Sequence, residues 1–225
     1  MCLASLATSL LWSRSVDAAQ LSVGGISFSD ELGGFVLERV TGNGTLDNPF
    51  VVTERIVDNN GGDLVIRVDP LFGNQIGTQH AIGFALVKVV ENGTDFPWTS
   101  FELELQSTHG VPSGYGDGLS FGQGSTVGRP FSDIGFKDIT VIDEPYDRIE
   151  YDRGRISVGG QATFRFVVTE AMPLMAAYLA QRPRRPVANL GSGRNPRTLV
   201  SAIYRATAGS WRWVMLAPLR QYRNS

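Results

Sequence analysis

The chain has 225 residues, a formal net charge of −2, 42% hydrophobic residues and 26 glycines. This length and apolar content suit one domain with its own core, and the glycine content indicates many turns. Two histidines and one cysteine exclude a zinc site and a disulfide framework. Residues 1–170 carry all 22 acidic residues, whereas residues 171–225 carry nine arginines and no acid. We therefore place a domain boundary near Gln181.

The first 19 residues are predicted to be a signal peptide. Leu3–Trp12 is an apolar run that has the length of a signal-peptide core and is too short to span a bilayer. Val16-Asp17-Ala18 then offers a small-x-small cleavage site, which would leave Ala19 or Gln20 as the new N-terminus. No basic residue precedes the run, so a start codon further upstream and an N-terminal helix packed on the domain stay open as alternatives. We expect an exported protein, periplasmic or extracellular, without a transmembrane segment.

Residues 20–180 are predicted to form a succession of short strands joined by turns. The predicted strands are Gln20–Ser27, Gly34–Val40, Pro49–Ile56, Asp63–Val68, His80–Val90, Trp98–Gln106, Phe136–Ile142, Arg148–Val158 and Gln161–Glu170. Ala171–Arg182 fits either a short helix or a final strand. Turn signals about every 8–12 residues are typical of a sandwich or a barrel. We predict an all-β fold, an antiparallel β-sandwich of jelly-roll or immunoglobulin-like type with long glycine-rich loops.

The clearest of these strands is Trp98–Gln106, in which three apolar residues alternate with three polar ones. The apolar positions are Phe101, Leu103 and Leu105, and the polar ones are Glu102, Glu104 and Gln106. This alternation is typical of a strand with one face on a core and the other in water. Phe164 and Phe166 are predicted to join Phe101 in the core. Trp98 itself is predicted either to close one end of the core or to stack on a sugar.

The glycine-rich segment Ser107–Pro130 is predicted to be a long loop, with seven glycines among its residues. Within it, Gly118-Leu119-Ser120-Phe121-Gly122 matches the G-x-S-x-G pattern of a serine nucleophile. That pattern needs a helix directly after the serine, and the glycines that follow here cannot start one. A serine hydrolase that uses Ser120, with His80 or His109 as the base, is therefore the least favoured hypothesis. We expect no enzymatic activity.

An acidic turn is the best candidate for a ligand site. Asp143, Glu144 and Asp147 crowd into it, and carboxylates on turns are the ligands that Ca²⁺ prefers. Their spacing matches no dedicated calcium motif, so a solvated charged rim is the favoured alternative. If a ligand face exists, we expect Trp98, Tyr115 and Asp117 to complete it for carbohydrate, with Ca²⁺ held by the three carboxylates as the only cofactor. These six residues form the predicted ligand-binding set.

The C-terminal segment 181–225 is predicted to be a disordered arginine-rich tail. Arg182–Pro186 has the composition of an extended, proline-stiffened linker. Arginines interleaved with tryptophan and tyrosine further on suit an anionic lipid or polysaccharide surface, and we expect no nucleic acid partner for an exported protein.

The leader, the glycine-studded body and the strand that includes Phe164-Arg165-Phe166-Val167-Val168-Thr169 resemble a broad set of uncharacterised exported bacterial proteins, many of which carry a C-terminal sorting tail. The tail here lacks the Pro-Glu-Pro motif and the long apolar span of that set, so a truncated or frame-shifted sorting tail is one hypothesis for segment 181–225. The leader, the alternating strands and the absence of paired catalytic groups in the sequence favour a non-enzymatic exported protein with a structural, adhesive or matrix role. The alternative is a carbohydrate-binding or Ca²⁺-assisted recognition module for a surface polysaccharide.

Overall fold

The computed structural model describes residues 18–114, 116–124, 127–142 and 145–186, which belong to one compact unit. These residues form thirteen strands and no helix. The strands are β1 (Gln20–Val23), β2 (Ile26–Ser29), β3 (Phe35–Thr41), β4 (Phe50–Ile56), β5 (Gly62–Val68), β6 (Ile82–Asn92), β7 (Ser100–Gln106), β8 (Leu119–Phe121), β9 (Phe131–Ile134), β10 (Asp138–Ile142), β11 (Arg148–Asp152), β12 (Gln161–Glu170) and β13 (Ala176–Arg184). Over the same residues, nothing forms a helix of the length and apolarity that a membrane span requires. The prediction of an all-β fold is confirmed.

The strands are arranged in two sheets that do not close into a barrel. Sheet A has the order β1-β2-β5-β13-β7-β11-β10, and sheet B has the order β3-β4-β6-β12-β8, with β9 also paired to β12. One hydrophobic core contains residues from both sheets, which is consistent with a β-sandwich.

One pair of neighbouring strands is parallel, which corrects the prediction of a purely antiparallel sandwich. β4 and β6 run in the same direction, with Phe50 opposite Leu86 and Ile56 opposite Asn92. β5, which lies between them in the chain, belongs to sheet A. The chain thus leaves sheet B, passes through sheet A and returns. A connection of this kind, unlike a hairpin, allows the next strand to be parallel.

The centre of the core is a cluster of aromatic rings at the interface of the two sheets. Phe101, on β7, and Phe164, on β12, are buried with their ring centroids 4.7 Å apart. Tyr151, on β11, approaches Phe164 edge-on at 4.7 Å. Leu103 and Leu105 are also fully buried, so the predicted inward face of Trp98–Gln106 is confirmed. Aromatic pairs at these distances add to the stabilisation that burial alone gives.

The first predicted strand is a hairpin in the structure. Gly24 and Gly25 have φ angles of +57° and +86°, which glycine adopts without steric cost. They form a two-residue turn that places Val23 opposite Ile26. The prediction of one continuous strand over Gln20–Ser27 is therefore wrong, because it overlooked the turn that this glycine pair favours.

The predicted glycine-rich loop contains secondary structure of its own. β8 lies inside Ser107–Pro130 and β9 follows directly after it, and both pair antiparallel with β12. β12 pairs with β6 along its other edge. The short β8 thus owes its conformation to a long-range neighbour rather than to its own sequence, and the prediction of an unbroken loop is wrong for residues 119–121.

β13 extends across the boundary that the composition predicted at Gln181. Ala176–Arg184 lies in the middle of sheet A, between β5 and β7, with Arg182 opposite Glu102 and Pro183 opposite Phe101. Residues 181–184 therefore belong to the sheet and not to a linker, since their arginines pair with acidic residues of neighbouring strands. The rest of the predicted tail, from residue 187 onward, lies outside the described residues, as does the predicted leader up to residue 17.

We expect Gly61→Ala to destabilise the domain by about 2–3 kcal/mol. Gly61 has a φ angle of +85°, and a Cβ there would lie 1.7 Å from the carbonyl oxygen of Gln181. The substitution therefore combines an unfavourable backbone conformation with displacement of β13. Urea denaturation measures the free energy of unfolding. Gly73→Ala is the matched control, because a Cβ on Gly73 meets no atom within 4 Å, and an equal loss in both variants would contradict the prediction.

Candidate functional site

The glycine-rich segment and the acidic turn meet at the ends of β7, β8 and β11. Ser120, on β8 of sheet B, donates a hydrogen bond from Oγ to Oδ1 of Asp147 at 2.7 Å. Asp147 directly precedes β11 of sheet A, and its carbonyl accepts from the Leu105 N–H at 2.9 Å. The Asp147 carboxyl therefore links the two sheets at this end of the fold.

The Asp117 carboxyl hydrogen-bonds to several residues of the glycine-rich segment close to Ser120 and Asp147. Its Oδ2 accepts from Ser107 Oγ at 2.8 Å, and its Oδ1 lies 2.8 Å from Ser113 Oγ and accepts from the Leu119 N–H at 3.2 Å. Ser113 is fully buried, and its backbone carbonyl accepts from the Asp147 N–H at 3.1 Å. Three serines and two aspartates thus form one connected network.

A third carboxyl, that of Glu170, lies at the end of β12 next to this network. It is 97% buried, and it accepts from the Met172 N–H at 3.0 Å. Burial raises the pKa of Glu170, and the nearby charge of Asp117 raises this pKa further. Burial also raises the pKa of Asp147, against the opposing effect of hydrogen bonds from Ser120 and Ser113. We call this group the carboxyl–serine cluster: Asp117, Asp147 and Glu170 with Ser107, Ser113 and Ser120.

The structure brings together only two of the six predicted ligand-binding residues, Asp117 and Asp147. Tyr115, Asp143 and Glu144 lie outside the described residues. Trp98 is completely buried: its Nε1 donates to Thr94 Oγ1 at 3.0 Å, and its ring centroid lies 5.2 Å from that of Phe101. This burial corrects the expectation of a sugar contact at Trp98. The indole fills one end of the core, which was the other role predicted for it.

The calcium hypothesis rests on residues that the structure describes only in part. Of the three predicted ligands, Asp147 alone is described, and Ser120 occupies one of its carboxylate oxygens. Over the described ranges, no group of three or more acidic, histidine or cysteine side chains is placed to hold a metal ion. Calcium binding stays a prediction for the turn that includes Asp143 and Glu144.

Ser120 lies in a strand and not at a strand-to-helix turn. Its hydroxyl donates to Asp147, and β8 is followed by a glycine-rich connection that leads to β9. His109, one of the two bases considered for it, lies with Nε2 2.9 Å from Oδ2 of Asp63. The geometry that a nucleophile elbow requires, with the serine projecting above a helix N-terminus, is therefore not formed at Ser120.

The outer face of sheet A carries a network of ion pairs that the sequence did not predict. Glu102 is 2.6 Å from Arg184 on β13 and 3.6 Å from Arg148 on β11. Asp63, on β5, is 2.7 Å from Arg182. A groove of about 260 Å³ runs beside the first of these pairs. It is lined by Ser100, Phe101, Glu102, Glu150, Asp152 and Arg184.

Three of the buried polar side chains that lie away from the carboxyl–serine cluster form a second group. Glu54, Lys88 and Gln181 are each fully buried, and Lys88 Nζ is 2.7 Å from Glu54 Oε2. Burial raises the pKa of Glu54 and lowers the pKa of Lys88, and the attraction between the two groups opposes both shifts. The signal that could have revealed them is strand alternation, because Glu54 and Lys88 occupy positions that otherwise carry core residues.

Comparison of the chain with protein-family models, with curated proteins and with solved structures finds no match.

We expect Asp147→Ala to lower the free energy of unfolding by about 1–3 kcal/mol, because the part-buried Ser120 hydroxyl loses its acceptor. The cost should diminish as the pH rises from 4 to 8. A carboxyl whose folded-state pKa is raised contributes less stability as the pH rises through that pKa. Denaturant titrations across this range measure both effects. The exposed Asp47→Ala serves as control, with a change of about 0.5 kcal/mol or less, and a loss at Asp147 that grows with pH would contradict the assignment.

Proposed function

We propose that this chain is an exported, non-enzymatic β-sandwich protein with a structural or adhesive role at a cell surface or in an extracellular matrix. The observation that carries the proposal is the carboxyl–serine cluster. The carboxyl groups of Asp117 and Asp147 accept their hydrogen bonds from serine hydroxyls and from the backbone of the same chain. A cluster bonded in this way fastens a loop to the ends of two sheets, which favours a framework role over chemistry on a substrate.

The paired charges on sheet A support the adhesive part of the proposal. Their ion pairs run across neighbouring strands, from Glu102 to Arg184 and from Asp63 to Arg182. A broad polar face of this kind can contact a hydrated polymer, such as a surface polysaccharide, through many weak bonds. The finer fold type is part of the same proposal. The chain passes repeatedly between the two sheets, which favours a Greek-key arrangement of jelly-roll or immunoglobulin-like type.

The contact between Ala19 and Asp30 supports export. The Ala19 N–H donates to Asp30 Oδ1 at 2.6 Å, and Asp30 Oδ2 accepts from the Leu37 N–H at 2.9 Å. Cleavage after Ala18 would place a new α-ammonium group at the same carboxylate, where a charged donor makes a stronger hydrogen bond than a neutral one. N-terminal sequencing after expression in a host with a periplasm tests this. We expect a chain that begins at Ala19 or Gln20, and a chain retained inside the cell with Met1 intact would contradict export.

Co-sedimentation with insoluble polysaccharide or matrix material tests the adhesive role. We expect the purified chain to sediment with the polymer, and its retention to weaken when Glu150→Lys and Asp152→Lys change the charge beside the groove. Glu38→Lys, at an exposed position on β3 of sheet B, is the matched control. Equal retention of all variants, or no retention of the unmodified chain, would contradict a role for this face.

A carbohydrate-binding module, assisted by Ca²⁺ or not, is the second candidate. The groove beside Glu102 and Arg184 favours it, because carboxylates, a hydroxyl and a guanidinium are suited to sugar hydroxyls. Soluble oligosaccharides distinguish the two proposals. They should displace a recognition module from the polymer and leave a broad adhesive contact unchanged. A chelator should weaken binding only if Ca²⁺ takes part.

A further inference from the structure

The interior of the fold contains a lysine, a carboxyl and a carboxamide on three different strands. Glu54 lies on β4 and Lys88 on β6 of sheet B, and Gln181 lies on β13 of sheet A. All three side chains are fully buried. Glutamate and lysine are almost never fully buried unless they are paired, so their place in a core needs an explanation.

The contacts of these groups leave their bonding capacity largely unused. Lys88 Nζ is 2.7 Å from Glu54 Oε2, and the Gln181 carboxamide lies close enough to the same carboxyl to lower its pKa. Yet none of the polar atoms at the ends of these three side chains makes a hydrogen bond of normal geometry with the part of the chain that the structure describes. Buried polar groups are nearly always satisfied, and each exception asks for a reason.

The surroundings favour uncharged forms of the amine and the acid. Phe164 is directly opposite Lys88 on β12, Val52 is opposite it on β4, and Leu103 is opposite Gln181 on β7. Burial among these side chains raises the pKa of Glu54 and lowers the pKa of Lys88, so that both shifts are towards neutrality. A desolvated, uncharged lysine is a nucleophile.

We propose that Lys88 and Gln181 become joined by an amide bond within the core, with Glu54 as the acid–base group that moves the proton. Lys88 Nζ and the Gln181 carboxamide both lie beside the Glu54 carboxyl, which brings the amine and the amide within side-chain reach of each other. The bond would connect β6 of sheet B to β13 of sheet A. The inference goes beyond the proposed function and does not depend on it.

The reaction is a transamidation that needs no oxidant and no co-reactant. Uncharged Lys88 Nζ attacks Cδ of Gln181, and the carbonyl electron pair moves onto Oε1. Uncharged Glu54 delivers its carboxyl proton to Nε2 from one oxygen and takes a proton from Nζ on the other oxygen. The Cδ–Nε2 bond then breaks, the carbonyl re-forms and ammonia leaves. One C–N bond forms and one breaks, and Glu54 ends in the state in which it began.

Intact-mass spectrometry of the purified full chain tests the proposal, with the mass calculated from the N-terminus found by sequencing. We expect a mass lower by one ammonia. We also expect a tryptic peptide in which the segment around Lys88 is joined to the segment around Gln181, with no cleavage after Lys88. This readout needs no variant, so it does not depend on whether a substituted chain folds. The full sequence mass together with free peptides from both segments would overturn the proposal.

The variants assign the roles. The chain contains two lysines, and the other, Lys137, is exposed. Lys137→Met should keep the loss of ammonia, whereas Lys88→Met, Gln181→Met and Glu54→Gln should each show the full sequence mass. Loss of ammonia that persists in Lys88→Met would come from another site and would overturn the proposal. Loss of one water instead of ammonia would show that Glu54 is the partner, which would also overturn it.

Discussion

Phe164→Ala is expected to destabilise the domain by about 3–5 kcal/mol. The Phe164 side chain is fully buried where the two sheets meet, with the rings of Phe101 and Tyr151 each 4.7 Å away and the ring of Phe136 at 5.9 Å. Alanine would leave a cavity bounded by three rings that are fixed on β7, on β11 and on the connection between β9 and β10, so the site cannot easily collapse. Urea denaturation followed by tryptophan fluorescence measures the loss.

Phe131→Ala is the matched control for this prediction. Phe131 lies on β9, is 47% exposed and has the Arg165 guanidinium 5.7 Å from its ring centroid. Its removal should cost about 1 kcal/mol or less, since little buried surface and one exposed cation–π contact are lost. Equal losses at positions 131 and 164 would show that the aromatic cluster is not the centre of the core.

Loss of Lys88 alone is expected to cost about 3–5 kcal/mol at pH 8, because the Glu54 carboxyl would stay buried without the amine that compensates its charge when it ionises. The clean comparison uses chains that all carry Gln181→Met, in which no amide to Lys88 can form. In that background Lys88→Met removes only the contact between the amine and the Glu54 carboxyl. The cost should be smaller at pH 5 than at pH 8, because burial raises the pKa of Glu54, and a carboxyl with a raised folded-state pKa loses stability as the pH rises through it.

The double replacement Glu54→Leu with Lys88→Met tests whether the loss is that of an isolated charge. Buried ion pairs replaced by apolar groups of similar size are often neutral or stabilising. We therefore expect the double variant, in the same Gln181→Met background, to recover most of the stability that Lys88→Met loses. A double variant as unstable as the single one would show that packing, and not charge, accounts for the effect.

The sequence predicted best those strands whose own residues alternate between apolar and polar side chains. Residues 100–106 and 161–170 largely alternate apolar and polar side chains, and a strand forms over each range. Glu102 and Gln106 are buried as well, so the expectation that the polar face of Trp98–Gln106 lies in water is wrong for these two residues. β8 and β13 could not be predicted with the same certainty. β8 is three residues long and depends on β12, and Pro173 and the arginines obscured the start and the end of β13. Whether such segments form strands depends on pairing with strands that are distant in the sequence. The local amino-acid composition contains no information about this pairing.

The sequence predicted where in the chain the candidate site lies. It did not predict the hydrogen-bond partners of the site's carboxyl groups. The sequence pointed to Asp117 and Asp147 through an unusual loop and a dense group of acids. Both carboxyl groups hydrogen-bond to serines of the same chain. These bonds depend on how the ends of β7, β8 and β11 meet in the fold, which the sequence does not indicate. The buried group of Glu54, Lys88 and Gln181 was not predicted, because its three side chains lie on three strands that are distant in the sequence and meet only in the folded chain.

The position of β13 in sheet A also affects the order in which the protein can fold. The strand lies between β5 and β7. Each of these two strands therefore lacks one of its two neighbours until Ala176–Arg184 is present. A chain that emerges from its N-terminus cannot complete this sheet until β13, the last strand that the structure describes, has emerged. Such long-range pairing slows folding. If the chain is exported, as we propose, this delay would keep the preceding strands unfolded during passage, and the sheet would be completed afterwards.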